Sequence, residues 1–396
     1  MRYSDRILKT PSSFIRDILK VTEDPSVISF AGGLPNPISF PQEALKESAC
    51  RIIDEFHGKV FQYSTTNGYA PLRQYIADKY NRNFGLSLKP EHVLITTGSQ
   101  QALDLIAKIL LNKGDGVIIE EPGYLGAIQA FMMFEPEFYP VTLEHEGLKL
   151  DELEAALKKG VKFAYTVPNF QNPTGLTYTQ ERREAICELF DKYDTVLIED
   201  DPYGELRFKG SKLPYIGAGK LAHSVIHGSF SKTVTPGMRL GFMITQDDEL
   251  MQHLITAKQS SDLHTNIFSQ YMIYDYLAHN EYQQHVDKIT ALYKEQSDTM
   301  LAAIKEYFPA SVKYTEPEGG MFIWVTLPEG MSALKLFHKA MEKKVAFVPG
   351  DPFYVGKSDV NTFRLNYTNS TDEVIREGIK RLGEVIKEAM ASRERL

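Results

Sequence analysis

The sequence predicts an α/β fold: a large domain with a mostly parallel sheet flanked by helices, and a smaller α+β domain. Three observations predict it. Short runs rich in Val and Ile, such as HVLITTG (92–98) and GVIIEEP (116–122), read as strands buried on both faces. Helical segments lie between such runs, which implies right-handed crossovers and parallel strands. The tail then changes character: one long, highly charged helix is followed by short strands with helices between them.

The elements follow in order. The N-terminal stretch MRYSDRILKTPSSFIRDILK is basic and patchily amphipathic, and is expected to form a helix lying on the protein. It lacks the continuous apolar core of a secretory signal, and Asp5 and Asp17 argue against a transit peptide. VISFAGGLPNP (27–37) has no helical crossover before it and is expected to pack with the C-terminal domain. HVLITTG leads into the helix SQQALDLIAKILL (99–111), and GVIIEEP ends at a proline. VKFAYTVPNF (161–170) is a strand followed by a loop and the helix TQERREAICELFDKY (179–193). TVLIEDDPY (195–203) and HSVIHGSFSK (223–232) begin as strands and finish in polar residues. Residues 281–308 read as one helix, GGMFIWVTL (319–327) and NTFRLNY (361–367) as strands. The expected divisions are an N-terminal arm with part of the small domain (1–45), a large domain (46–285) and a C-terminal small domain (286–396).

Composition narrows the function. The 396 residues carry 44 basic and 52 acidic side chains, a formal net charge of −8, which argues against broad nucleic-acid binding. Two cysteines, Cys50 and Cys187, make neither a disulfide framework nor a zinc-site spacing, so a reducing, cytoplasmic setting and no metal are expected. No apolar run approaches the ~20 residues that span a bilayer.

The polar residues collect at the ends of strands, where open α/β sheets bind ligands. Gly98-Ser99-Gln100 opens a helix, whose free N–H groups attract phosphate; the alternative is that Ser99 is only an N-cap. Residues 168–175, PNFQNPTG, form a turn in which the Asn172 amide can donate to an oxygen, or a turn that is structural alone. Glu199-Asp200-Asp201-Pro202-Tyr203 ends a buried strand. A carboxylate there needs a cationic partner unless the turn is solvated. Finally, GSFSKTVTPGMRLG (228–241) gathers Ser229, Ser231, Lys232 and Arg239. Lysine forms Schiff bases with carbonyl compounds, and serines with arginine grip phosphate; a surface basic loop is the alternative.

Together these groups describe one ligand. Ser99, Gln100, Ser229, Ser231 and Arg239 suit a phosphate, Lys232 an aldehyde, Asn172 and Tyr203 a ring hydroxyl, and a carboxylate at the end of IEDD a ring nitrogen. That ligand is pyridoxal 5'-phosphate.

The stretches SFAGGLPNP, QYSTTNGYAPLR, TTGSQQALDL, EEPGYLGA, VPNFQNPTG, IEDDPYGELRF, GSFSKTVTPGMRLG, EGGMFIWV and FRLNY run from residue 29 to residue 367. In this order they resemble the class I/II family of pyridoxal-phosphate aminotransferases, of fold type I. The nearest likeness is to the branch with 2-aminoadipate, kynurenine and aromatic aminotransferases. The resemblance implies that 46–285 is the cofactor-binding domain and that Lys232 is the Schiff-base lysine. Asp200 matches the partner of the ring nitrogen through its Asp-x-x-Tyr spacing to Tyr203, which Asp201 fits less well. By the same resemblance Tyr124 stacks on the ring, Arg364 binds the substrate carboxylate and Gly33 lies close to the substrate. Tyr63, with Tyr69 as a weaker candidate, reaches the neighbouring subunit's phosphate. Arg16 greets an acidic substrate side chain. The implied protein is a homodimer with shared active sites. It moves the amino group of an L-amino acid (aromatic, 2-aminoadipate-like or a broad range) to 2-oxoglutarate or a related 2-oxo acid. Two other readings stay open: β-elimination or decarboxylation with the same cofactor, and a sensor module of a transcription regulator. Against the second, no helix-turn-helix fits before the pattern begins.

Overall fold

The computed structural model describes residues 3–10 and 24–393. The first strand among the described residues is the short β1 (Ile28–Ser29). Eight strands then build the main sheet: β2 (Val93–Thr96), β3 (Gly116–Glu121), β4 (Glu137–Glu144), β5 (Gly147–Leu148), β6 (Phe163–Thr166), β7 (Val196–Asp200), β8 (Ser224–Ser229) and β9 (Gly241–Ile244). Their spatial order is β2-β9-β8-β7-β6-β3-β4-β5. The run from β8 to β4 is parallel throughout. Apart from β4, its strands are short and apolar, with Val117, Ile118, Ile119, Phe163, Ala164, Leu197 and Val225 all fully buried. Helices such as Gly98–Leu110 and Gln180–Tyr193 connect strands of this sheet and pack on it.

Three strands depart from the alternation read in the sequence, among them β5, which turns straight back from β4 and pairs antiparallel with it. The β4 segment contains Pro140 and buries only Val141 and Leu143, so it lacks the continuous apolar run of its neighbours. Strand β9 is antiparallel to both β8 and β2. It follows β8 through the irregular stretch 230–240 with no helix between, so no crossover constrains it to run parallel.

The C-terminal part forms β10 (Lys313–Tyr314), β11 (Phe322–Thr326), β12 (Val345–Ala346), β13 (Val348–Pro349) and β14 (Thr362–Asn366). A four-stranded antiparallel sheet has the order β10-β11-β14-β13. Strand β1 pairs in parallel with β12, which ties the early segment to this end of the chain. The helix Tyr282–Tyr307 packs along the last helix, Asp372–Arg393. Near the N-terminus a helix covers Asp5–Lys9; most of the remaining stretch that was expected to be helical lies outside the described residues. Among the described residues no helix is long and apolar enough to cross a membrane.

Candidate active site

The carboxyl ends of β2, β3, β6, β7 and β8 converge on a cavity of about 270 Å³, closed on one side by β14. Its lining includes Gly33, Ser99, Gln100, Tyr124, Asn172, Asp200, Tyr203, Ser229, Ser231, Lys232, Arg239 and Arg364. Twelve of the fourteen site residues expected from the sequence therefore meet in one place. Tyr63 does not: it is 79% exposed and lies edge-on to His264, in a separate surface groove. Tyr69 is also elsewhere, stacked on Tyr271 at 3.9 Å. Arg16 lies outside the described residues.

One end of the cavity suits an anion. The helix Gly98–Leu110 begins there, and its N-cap is Thr97 rather than Ser99. The Ser99 hydroxyl is buried and has no hydrogen-bond partner. Gly98 has φ +71°, and a Cβ on it would stand 2.8 Å from Nη2 of Arg239. The guanidinium thus lies across the start of the helix, where free N–H groups already favour negative charge. Ser229 ends β8, and its Oγ accepts the Ser231 amide at 3.1 Å.

The three acidic residues at the end of β7 have different surroundings, as alternation along a strand requires. Glu199 accepts the amides of Ile216 and Gly217 at 2.7 and 2.9 Å. Asp201 accepts from Tyr215 at 2.6 Å and Asn169 at 3.0 Å. Asp200 alone lines the cavity. Its Oδ2 accepts the Tyr165 hydroxyl at 2.6 Å, and its Oδ1 is buried without a partner. Burial pushes this carboxyl up to about 7; the charges of Asp201 and Glu120 act in the same direction, against the Tyr165 hydrogen bond. The solvated acidic turn is excluded, because Asp200 is 2% exposed.

Lys232 donates from Nζ to the Gly33 carbonyl at 2.8 Å. Burial, with Arg364 and Arg239 nearby, brings its ammonium down to about 8, so this is not a solvated surface lysine. Arg364 is 3% exposed in the middle of β14. Its Nη1 donates to Asn172 Oδ1 and its Nη2 to the Ala31 carbonyl, both at 2.8 Å, while Nε is buried without a partner. The guanidinium also lies over the rings of Phe322 and Phe353. Asn172 Nδ2 donates to the Tyr203 hydroxyl at 3.3 Å. Burial pushes the Tyr124 phenol up to about 12.

Lys232, Arg239 and Arg364 face one lining carboxylate, Asp200. This surplus favours a ligand set with more than one negative group. The unpaired Ser99 hydroxyl, the unpaired Asp200 oxygen and the softened Lys232 amine fit pyridoxal phosphate. Sequence reading missed Tyr165, Val167, Pro202 and Pro236 in the lining. Tyr165 had a signal: a tyrosine inside a buried strand needs a partner for its hydroxyl.

Residues 37–382 match the family model described as aminotransferase class I and II. The chain is 43% identical to the aromatic-amino-acid aminotransferase 1 of Thermococcus litoralis, over 98% of this chain and 94% of that protein. A solved kynurenine aminotransferase of Pyrococcus horikoshii, in complex with PMP, superposes with a TM-score of 0.93 at 43% identity, covering 98% of this chain and 97% of that one. The α-aminoadipate aminotransferase of Thermus thermophilus, complexed with N-(5'-phosphopyridoxyl)-L-leucine, gives 0.91 at 40% identity, with 98% of both chains covered. The chain belongs to the class I and II aminotransferases, pyridoxal-phosphate enzymes of fold type I.

Proposed function

We propose that this aminotransferase accepts a range of L-amino acids, aromatic and 2-aminoadipate-like donors included, and passes the amino group to 2-oxoglutarate or a related 2-oxo acid. The observation that carries the site assignment is the meeting of the Lys232 amine, the unpaired Asp200 oxygen and Arg364 in one cavity. The donor range is supported by the aromatic, kynurenine and α-aminoadipate names of the relatives.

In this reading Ser99, Gln100, Ser229, Ser231 and Arg239 hold the phosphate, Asn172 and Tyr203 the ring oxygen, and Tyr124 the ring face. The bound cofactor supplies an aldehyde that condenses with amines and a protonated ring that draws electrons from the substrate's Cα. Asp200 Oδ1 holds the proton on the ring nitrogen. Lys232 Nζ takes the proton from Cα, a task for which an amine lowered to about 8 is suited. Arg364 grips the substrate carboxylate and orients Cα toward Lys232, with the Gly33 backbone alongside. Arg16 is assigned to acidic donor side chains.

The working enzyme is a homodimer in which Tyr63 of one subunit serves the other's phosphate. Its 79% exposure, beside Phe61 at 67%, supports a surface that a second copy covers. A cytoplasmic setting is supported by two free cysteines, Cys50 and Cys187.

A panel of amino acids against 2-oxoglutarate, with the cofactor absorbance followed at each addition, tests the function. Glutamate stoichiometric with the donor's own 2-oxo acid, with no ammonia or CO₂ released, is expected. Ammonia or CO₂ in place of glutamate would mean a lyase or a decarboxylase. Borohydride reduction and peptide mapping should place the trapped cofactor on Lys232.

A further inference from the structure

We propose that Glu120 is a positioning residue: its buried carboxylate clamps the 167–178 loop and so fixes Asn172 against Arg364 and Tyr203. The inference rests on the roles given above to Asn172 and Arg364.

Glu120 lies next to the end of β3 and is 1% exposed. Its Oε1 accepts the Val167 amide at 2.9 Å and the Tyr178 hydroxyl at 2.5 Å, and its Oε2 accepts Gln171 Nε2 at 2.9 Å. All three donors come from one loop, between β6 and the helix Gln180–Tyr193. None of the three is a cation. A buried carboxylate served only by neutral donors is a costly way to fill space. What this arrangement gains is a fixed loop.

The loop needs fixing. Phe170 is fully buried with φ +49°, a left-handed backbone that a bulky residue holds only when its surroundings impose it. Gln171, the next residue, is tied at both ends of its amide. Its Nε2 reaches Glu120 and the Pro122 carbonyl, while its Oε1 accepts the amide and hydroxyl of Thr174 at 2.9 and 2.7 Å. Asn172 follows directly, and its Oδ1 is the acceptor that holds Arg364 Nη1. The chain of contacts runs from Glu120 through Gln171 and Asn172 to the guanidinium assigned to the substrate.

The clamp depends on an acceptor at both oxygens. In Glu120→Gln the new NH₂ faces either the Val167 and Tyr178 donors or the Gln171 donor, so an attraction becomes a clash of donors.

The test compares the cofactor-loaded wild type with Glu120→Gln and Tyr178→Phe. Glu120→Gln should raise the donor KM about tenfold, with a smaller loss in kcat, and should shift the absorbance of the bound cofactor. Tyr178→Phe removes one of three donors and should move KM the same way by less. A folded Glu120→Gln enzyme with wild-type KM and absorbance, altered only in melting temperature, would reduce Glu120 to a structural residue and overturn the proposal. Should Glu120→Gln fail to fold, Gln171→Met takes its place, and an unchanged donor KM there overturns the proposal equally. Borohydride trapping on the wild type separates this from the underlying site assignment. With no adduct on Lys232 that assignment falls; with an adduct and unaltered variants only the role of Glu120 does.

Discussion

Replacing Asp200 by Asn should make the cofactor-free protein more stable while disabling it. Burial pushes the Asp200 carboxyl from 3.8 up to about 7. The folded state therefore keeps a proton that the unfolded chain releases between these values. Stability falls as pH rises through that window and levels off above about 7, where the accumulated cost is about 4 kcal/mol. A neutral amide never carries this cost. Its oxygen can accept from Tyr165 as Oδ2 does now, and its NH₂ faces the cavity. The advantage of Asp200→Asn should therefore grow by about 3 kcal/mol between pH 5 and pH 8 and then stay level. Urea unfolding of both cofactor-free proteins across that range measures it. Added pyridoxal phosphate should narrow the gap, because a protonated ring nitrogen gives Oδ1 the partner it lacks. A difference independent of pH, or a variant less stable at pH 8, would refute the burial argument. Transamination by the variant should fall by orders of magnitude.

Other outcomes follow from the same geometry. With the Lys232 amine lowered to about 8, capture of pyridoxal phosphate by the cofactor-free protein should speed up as pH rises to about 8 and level off beyond it; stopped-flow absorbance would show a continued rise toward pH 10 if the lysine were ordinary. Arg364→Lys keeps the charge but cannot hold Asn172 and Ala31 together, so the donor KM should rise about ten- to a hundredfold while borohydride trapping at Lys232 stays intact. Gly98→Ala forces a methyl group toward Arg239 from a left-handed backbone, and cofactor affinity, read by titration, should weaken about tenfold.

Much of this site was legible because a parallel sheet sends the carboxyl ends of its strands to one edge. Ser99, Asn172, Asp200 and Lys232 each follow an apolar run in the sequence, so reading the runs as strands already brought them together. The Asp-x-x-Tyr spacing pointed to Asp200 among three neighbouring acids, and period-two alternation explains why it differs from the other two. The alternatives at each motif failed for separate physical reasons. Thr97 holds the N-cap position that Ser99 would have filled, the burial of Asp200 removes the solvated acidic turn, and the half-buried Lys232, bonded to the Gly33 carbonyl inside the cavity, is no surface lysine.

What stayed hidden depends on contacts that no local pattern encodes. Glu120 reads in the sequence as the polar end of a strand, yet its partners lie 47 to 58 residues away. Tyr165 meets Asp200 across 35 residues. Strand β9 was concealed because its antiparallel direction follows from the absence of a crossover helix, and the irregular stretch before it reads only as a loop. Tyr63 illustrates a different limit. In the single chain it stands apart from its own cavity, with 79% of it exposed in a separate groove. Its assignment therefore stands or falls with a second subunit. Mixed dimers of Tyr63→Phe and Lys232→Ala chains decide the matter: one of their two sites keeps Lys232 and, if the tyrosine crosses over, receives the intact Tyr63. That site should bind cofactor with wild-type affinity, and affinity equal to the Tyr63→Phe homodimer would place the contact within one chain.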